Sequence, residues 1–335
     1  NMLNKFLFFI FLIFFFSSAQ SKLLDEIKER GYLKCGVYQE FYGFSYINND
    51  NEWQGFDTDI CRVVSSAIFG NPDSVEFFPT TSNSRFVLLY SGEIDMLLSA
   101  TTWNYSRDTN LGFEFPAIVF FDGLSILLKK DIKISSLSDL DGSIVCIVNE
   151  SKKYFLTKKF FDSLNLQISY LEFQLELEAF ENFEKNKCDL FIDTVSELMQ
   201  KLYVSKNVKY QILPYVFSKD PLSIAVRHND DEWRDVVAWS INVIKLAEKY
   251  GINSHNIDSL KNSKNTEINT FLNSDSSFGD MIELDNNFIY NIIKQNGNYG
   301  EIFSRNMGEE SIYNINQGLN QSFDNGGLFY VPPFR

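Results

Sequence analysis

The stretch that decides the fold runs from Ser84 to Asp108, SRFVLLYSGEIDMLLSATTWNYSRD. SRFVLLYSGE suits a helix that stops at Gly92, since glycine takes the left-handed conformation that closes helices. IDMLLSA follows as a strand. Beyond its end, the short turn-like segment before LGFEFPAIVFF carries two hydroxyls and a guanidinium, those of Thr101, Thr102 and Arg107. A guanidinium presents a planar fork of donors that matches a carboxylate bidentately. The competing reading is a surface ion pair between Arg107 and Asp108, with the threonines capping a turn.

Working outward, KLLDEIKERGYLKCGVY reads as helix then strand. NNDNEWQGFDTDICRVVSSAIFG reads as a polar turn and a helix, with Asp57 as its N-cap, Ile60, Val64, Ala67 and Ile68 on one face, and Gly70 at its end. SVEFFPT supplies a second strand. Alternating strands and helices predict a parallel α/β sheet, whose ligands sit beyond the carboxyl ends of the strands. The pattern restarts at SSLSDLDGSIVCIVN and ends at CDLFID. AIVFFDGLSILLKK and YQILPYVFSKDPLSIAVR read as two extended crossings between the units. The expected division is a first lobe over 23–122, a second over 123–216, and a return to the first over 217–335. Asp230 and Gly251 bracket a long helix there, and 253–285 reads as mostly loop with short helical pieces.

A net charge of −14, with no basic block, excludes nucleic acid and anionic lipid surfaces as partners, because their phosphates are repelled. Near the N-terminus, Lys5 precedes FLFFIFLIFFF and then SSAQ. This is the layout of a secretory signal over 1–19, cleaved after Ala19, and too short for a spanning helix. Four cysteines in an exported chain predict two disulfides. Of three possible pairings, Cys35 with Cys61 and Cys146 with Cys188 close each bridge within one lobe. With no C-x-x-C spacing and two histidines, zinc is not expected, nor any other cofactor.

Taken in order, RGYLKCGVYQEFYGFSY, WQGFDTDICRVVSSAIFG, SGEID, TTWNYSRDTNLG, SKDPLSIAVRHNDDEW, NGNYGEIFSRNMG and GLFYVPP resemble the general L-amino-acid-binding proteins of polar amino-acid ABC transporters. The resemblance runs from about Leu23 to Arg335. It implies a type II periplasmic binding fold: two α/β lobes joined by extended hinge strands that close over one amino acid. It also implies a periplasmic location and delivery to an inner-membrane permease; a monomer is expected. By the same resemblance Arg107 takes the ligand α-carboxylate and Thr102 adds donors, with Thr101 and Ala100 beside it. Tyr42 or Phe44, in FYGFSY, covers the ligand side chain.

The chain departs from that family at several positions. Ser99 and Ala100 replace a usual Arg-Asn. In the second lobe ESKK, Glu150 to Lys153, replaces Gly-Thr-Thr-Thr. Ser151 is expected to cap the next helix and aim its N–H groups at the ligand, and Lys152 to add positive charge. The aspartate that receives the α-ammonium in relatives aligns by spacing with Thr194, while Asp193 stands one residue before it. A dehydratase-like enzyme on the same fold, with Glu150 as the acid, and a ligand-sensing module are the competing functions.

Overall fold

The computed structural model describes residues 22–206, 209–273 and 277–334. The expected signal segment lies outside them. The first part of the chain forms α1 (Leu23–Arg30), β1 (Leu33–Tyr38), a small antiparallel sheet of β2 (Glu40–Phe41), β3 (Ser45–Ile47) and β4 (Trp53–Gln54), then α2 (Phe56–Phe69), β5 (Val75–Thr80), α3 (Arg85–Ser91), β6 (Met96–Leu98) and α4 (Tyr105–Leu111). β1 lies between β5 and β6 and is parallel to both. This order places a switch point between β1 and β6, where the loops leaving the strands diverge and open a crevice.

The α2 start differs from expectation. Gly55 holds the cap position with φ 124°, and a Cβ there would lie 2.3 Å from the Phe44 carbonyl oxygen, so no capping side chain fits. Asp57 sits inside the first turn, where its buried carboxylate accepts the Ala100 N–H at 3.2 Å. The Arg107 segment is also not a bare turn. It opens α4, whose cap Asn104 accepts the Arg107 N–H at 3.0 Å.

After β7 (Phe113–Glu114), the extended β8 (Ile118–Asp122) leads through Gly123 into β9 (Leu124–Lys129), β10 (Ile144–Val148), α5 (Lys152–Ser163), β11 (Ser169–Phe173), α6 (Glu176–Glu184), β12 (Leu190–Thr194), α7 (Val195–Val204) and β13 (Tyr210–Ile212). These strands make one sheet in the order β11-β10-β12-β9-β13. Its first three are parallel, and β9 and β13 join antiparallel at one side. The order of β11, β10 and β12 repeats that of the first sheet, so the second lobe has its own switch point at the β10 and β12 ends. The chain returns through β14 (Asp220–Ser223), antiparallel to β8, and β15 (Val226–Arg227), antiparallel to β7. Gly123 is required where the two crossings touch: a Cβ would lie 2.1 Å from the Ser218 carbonyl oxygen.

The return forms α8 (Asp231–Lys249), whose Trp233, Val236, Val237, Ile241 and Ile244 are fully buried, then α9 (Ile257–Leu260), α10 (Thr266–Leu272), α11 (Phe288–Asn296) and α12 (Tyr299–Asn306). Among the described residues β8 pairs with a strand on one side only. Its other edge is satisfied by side chains from the return. Lys245 donates to Ile118 O, Tyr299 to Val119 O, and the Asn320 carboxamide bonds both N–H and C=O of Phe121. Buried backbone groups need such partners. Cys35–Cys61 ties β1 to α2, and Cys146–Cys188 ties β10 to the turn before β12, as expected.

Candidate functional site

A cleft of about 560 Å³ lies where both switch points meet the crossings, and this suits a small ligand. Tyr38, Glu40, Phe41, Ser82, Arg85, Ala100, Thr102 and Arg107 line it from the first lobe, Asp122, Asp220 and Leu222 from the crossings, and Lys153, Glu176, Asp193, Thr194, Ser196 and Glu197 from the second lobe. A larger hollow of about 830 Å³ beside β3 and β4 is less suited to a charged ligand. Its arginines already share Asp59, Arg62 at 3.0 Å and Arg305 at 2.7 Å.

Arg107 is half-buried and faces the cleft. Its Nη1 donates to Thr102 O at 2.6 Å, and the guanidinium lies 5.5 Å from the Phe86 ring centre. Asp108 takes the Trp103 indole N–H at 3.0 Å rather than Arg107, so the surface ion pair does not form. Arg85, at the start of α3, is a second guanidinium in the same cleft and is 8% exposed. It donates from Nη1 to Ser99 O at 2.8 Å, and its Nε is buried with no hydrogen-bond partner. Burial and the neighbouring Arg85 both press the Arg107 pKa downward. Among the described residues neither guanidinium has a salt bridge to a carboxylate. Two cations left in this state favour an anion between them.

The remaining predicted residues divide. Thr102 lines the cleft and bridges to Leu222, and Ala100 lines it with φ 42°. Thr101 does not reach it: the side chain is buried and bonds Arg85 and Ser99 O instead. Phe44 is fully buried, packed edge-on against Phe56 and Phe120 in the core. Tyr42 turns outward and stacks on Tyr203 of the second lobe at 3.6 Å, while the Gln200 carboxamide bonds its N–H and C=O at 2.9 Å each. The aromatics that line the cleft are Tyr38 and Phe41.

In the second lobe Ser151 caps α5, accepting the Tyr154 N–H at 3.0 Å and donating to Val148 O, and does not line the cleft. Lys152 is 81% exposed and lies 3.8 Å from Asp220. Thr194 ends β12 and caps α7, and Asp193 stands one residue before it in the strand; both line the cleft. Along β12, Leu190 and Ile192 enter one core and Phe191 the other, which puts Asp193 on the Phe191 side. Asp193 is fully buried: Oδ1 accepts from Thr194 N at 2.8 Å and Lys153 Nζ at 2.5 Å, and Oδ2 has no partner. Burial pushes its carboxyl upward against the pull of Lys153. On the crossing, Asp122 accepts Ser196 Oγ at 2.5 Å, and burial raises it to about 6.

Reading the sequence alone missed Arg85, Phe41, Lys153 and Glu176. For Arg85 a signal existed: one cation at the head of an apolar helix that follows the carboxyl end of a strand. Among the described residues no group of His, Cys, Asp and Glu is arranged to hold a metal, and no helix is long and apolar enough to cross a membrane.

Two lobes of repeated strand order, two crossings, and a charged cleft between them define the architecture of a solute-binding protein. Residues 33–309 match the bacterial extracellular solute-binding proteins, family 3, and the chain belongs to that family. It is 38% identical to the general L-amino acid-binding periplasmic protein AapJ of Rhizobium johnstonii, over 95% of this chain and 94% of that one. It is 35% identical to the glutamate/glutamine/aspartate/asparagine-binding protein BztA of Rhodobacter capsulatus, over 95% of both. Among solved structures, an ABC transporter periplasmic binding protein from Brucella ovis with glutathione bound shares 36% identity and a TM-score of 0.73, covering 94% of this chain and 100% of that one.

Proposed function

We propose that the chain is the periplasmic binding component of an amino-acid ABC transporter, working as a monomer. It captures one L-amino acid between its lobes, divided at 123 and 217, and hands it to an inner-membrane permease. Arg107 and Thr102 receive the α-carboxylate, and Asp193 receives the α-ammonium through its unpartnered oxygen. The carrying observation is the pair of guanidiniums, Arg85 and Arg107, that face one cleft without a carboxylate. Arg85 supplies a second anion site, so glutamate and aspartate bind ahead of neutral amino acids. Of the relatives, BztA is named for binding glutamate and aspartate together with their neutral amides, and AapJ for L-amino acids in general. Closure follows because a ligand that touches both lobes binds the closed arrangement better than the open one.

Isothermal titration with the twenty amino acids tests this reading. Glutamate and aspartate are expected to bind tightest, and Arg85→Ala to weaken them by about tenfold or more, the worth of one charge-assisted hydrogen bond, while sparing alanine. No heat from any amino acid, in folded protein, removes the proposal.

A further inference from the structure

The second lobe brings a lysine into the acid side of the cleft. Lys153 stands in the first turn of α5, where its Nζ meets Asp193 Oδ1 at 2.5 Å and Glu176 Oε2 at 2.7 Å. Its side chain is largely buried and lines the cleft with both acids. A lysine side chain ends in the same group, a primary ammonium, that an amino acid carries on its α-carbon. Both seek the same acceptor oxygens in the same geometry. Lys153 therefore satisfies half of Asp193 in the way a bound zwitterion would, and leaves the buried Oδ2 without a partner. Glu176 is the less buried of the two acids, so Lys153 can keep that partner if it gives up the other.

We propose that Lys153 is a resident occupant of the ammonium site, which competes with the ligand's own ammonium for Asp193. Binding of an amino acid exchanges one cation for the other, and Lys153 withdraws onto Glu176. The inference rests on the reading that Asp193 receives the α-ammonium. Its consequence is a site whose affinity for zwitterions is held below what its acids can deliver, while ligands without an amine meet no competition.

The test replaces Lys153 with methionine, of similar length and uncharged, and titrates L-glutamate and glutarate, the same diacid without the amine. Glutamate is expected to bind about tenfold tighter to Lys153→Met than to the unaltered chain, the worth of one charge-assisted hydrogen bond, and glutarate equally or less tightly. Lys153→Ala, which also removes the donor to Asp193, serves the same comparison if the methionine variant does not fold. Unchanged or weaker glutamate binding in the variant, an equal gain for both ligands, or no binding by either form overturns the inference. An unaltered chain that binds glutamate, paired with a variant that gains nothing, removes this inference alone. A folded unaltered chain that binds no amino acid removes the underlying reading as well.

Discussion

At Glu150 the backbone takes φ 49°, a left-handed conformation that crowds Cβ against the following carbonyl. Glycine adopts it freely, and glycine is the residue that the resembling family carries at this position. The strain sits in the turn between β10 and α5, just before the helix that holds Lys153. Glu150→Gly is therefore expected to be more stable than Glu150→Ala by roughly 1 kcal/mol, since alanine keeps the crowding. Urea denaturation of the two variants measures this, and equal midpoints contradict it. The same residues show what was legible. Glu150 stood out in the sequence because it broke a glycine pattern, and Arg107 because a specific motif surrounded it. Phe44 and Tyr42 carry no such mark. Both are aromatic in one turn, and only packing decides that Phe44 enters the Phe56 and Phe120 core while Tyr42 reaches Tyr203. Lys152 and Lys153 are neighbours of one type at a helix start. Their directions differ by one helical step of about 100°, which sends Lys152 toward solvent and Lys153 into the cleft.

Most elements were legible, because apolar periodicity and glycine stops carry them. The helix ending at Gly70 and the long α8 between Asp230 and Gly251 fall where these signals place them, and the strand expected over IDMLLSA is shorter, Met96–Leu98. The sequence does not announce how an element's leftover edge is covered. β8 has a strand neighbour on one side, and its other side is met by Lys245, Tyr299 and Asn320 from three distant segments. This gives the C-terminal tail a structural role. Its Phe329 packs on Phe121 of the crossing at 5.2 Å, and Phe334 fills the gap between Trp239 of α8 and Phe271 of α10. The polar composition of 253–285 hid this, because single aromatics such as Phe271 hold the insertion down while the rest stays wet.

For the molecule as a whole, buried ionisable groups set how stability depends on pH. The Asp57 carboxyl is fully buried with one hydrogen bond, from Ala100, and burial pushes it up to about 7 from an ordinary 3.8. The folded chain holds that proton at pH values where the unfolded chain has released it. The stability so gained is complete below the ordinary value and is lost as pH rises through about 7. Lys245 acts in the opposite sense: burial lowers it to about 7, so the stability tied to its neutral form is lost as pH falls from its ordinary 10.5 through about 7. Thermal melts are expected to show a chain more stable near pH 5 than near pH 7, and Asp57→Asn to flatten that difference by at least about 1 kcal/mol. A difference unchanged in the variant contradicts the assignment.

The central claim is that the guanidinium of Arg107 grips the carboxylate of an amino acid held between two lobes. A crystal structure of the complex with L-glutamate tests it most directly. The account predicts the α-carboxylate hydrogen-bonded to Arg107 at about 3 Å or less, with the lobes closed over the ligand. Glutamate bound elsewhere, or in the cleft with Arg107 turned away from its carboxylates, contradicts it.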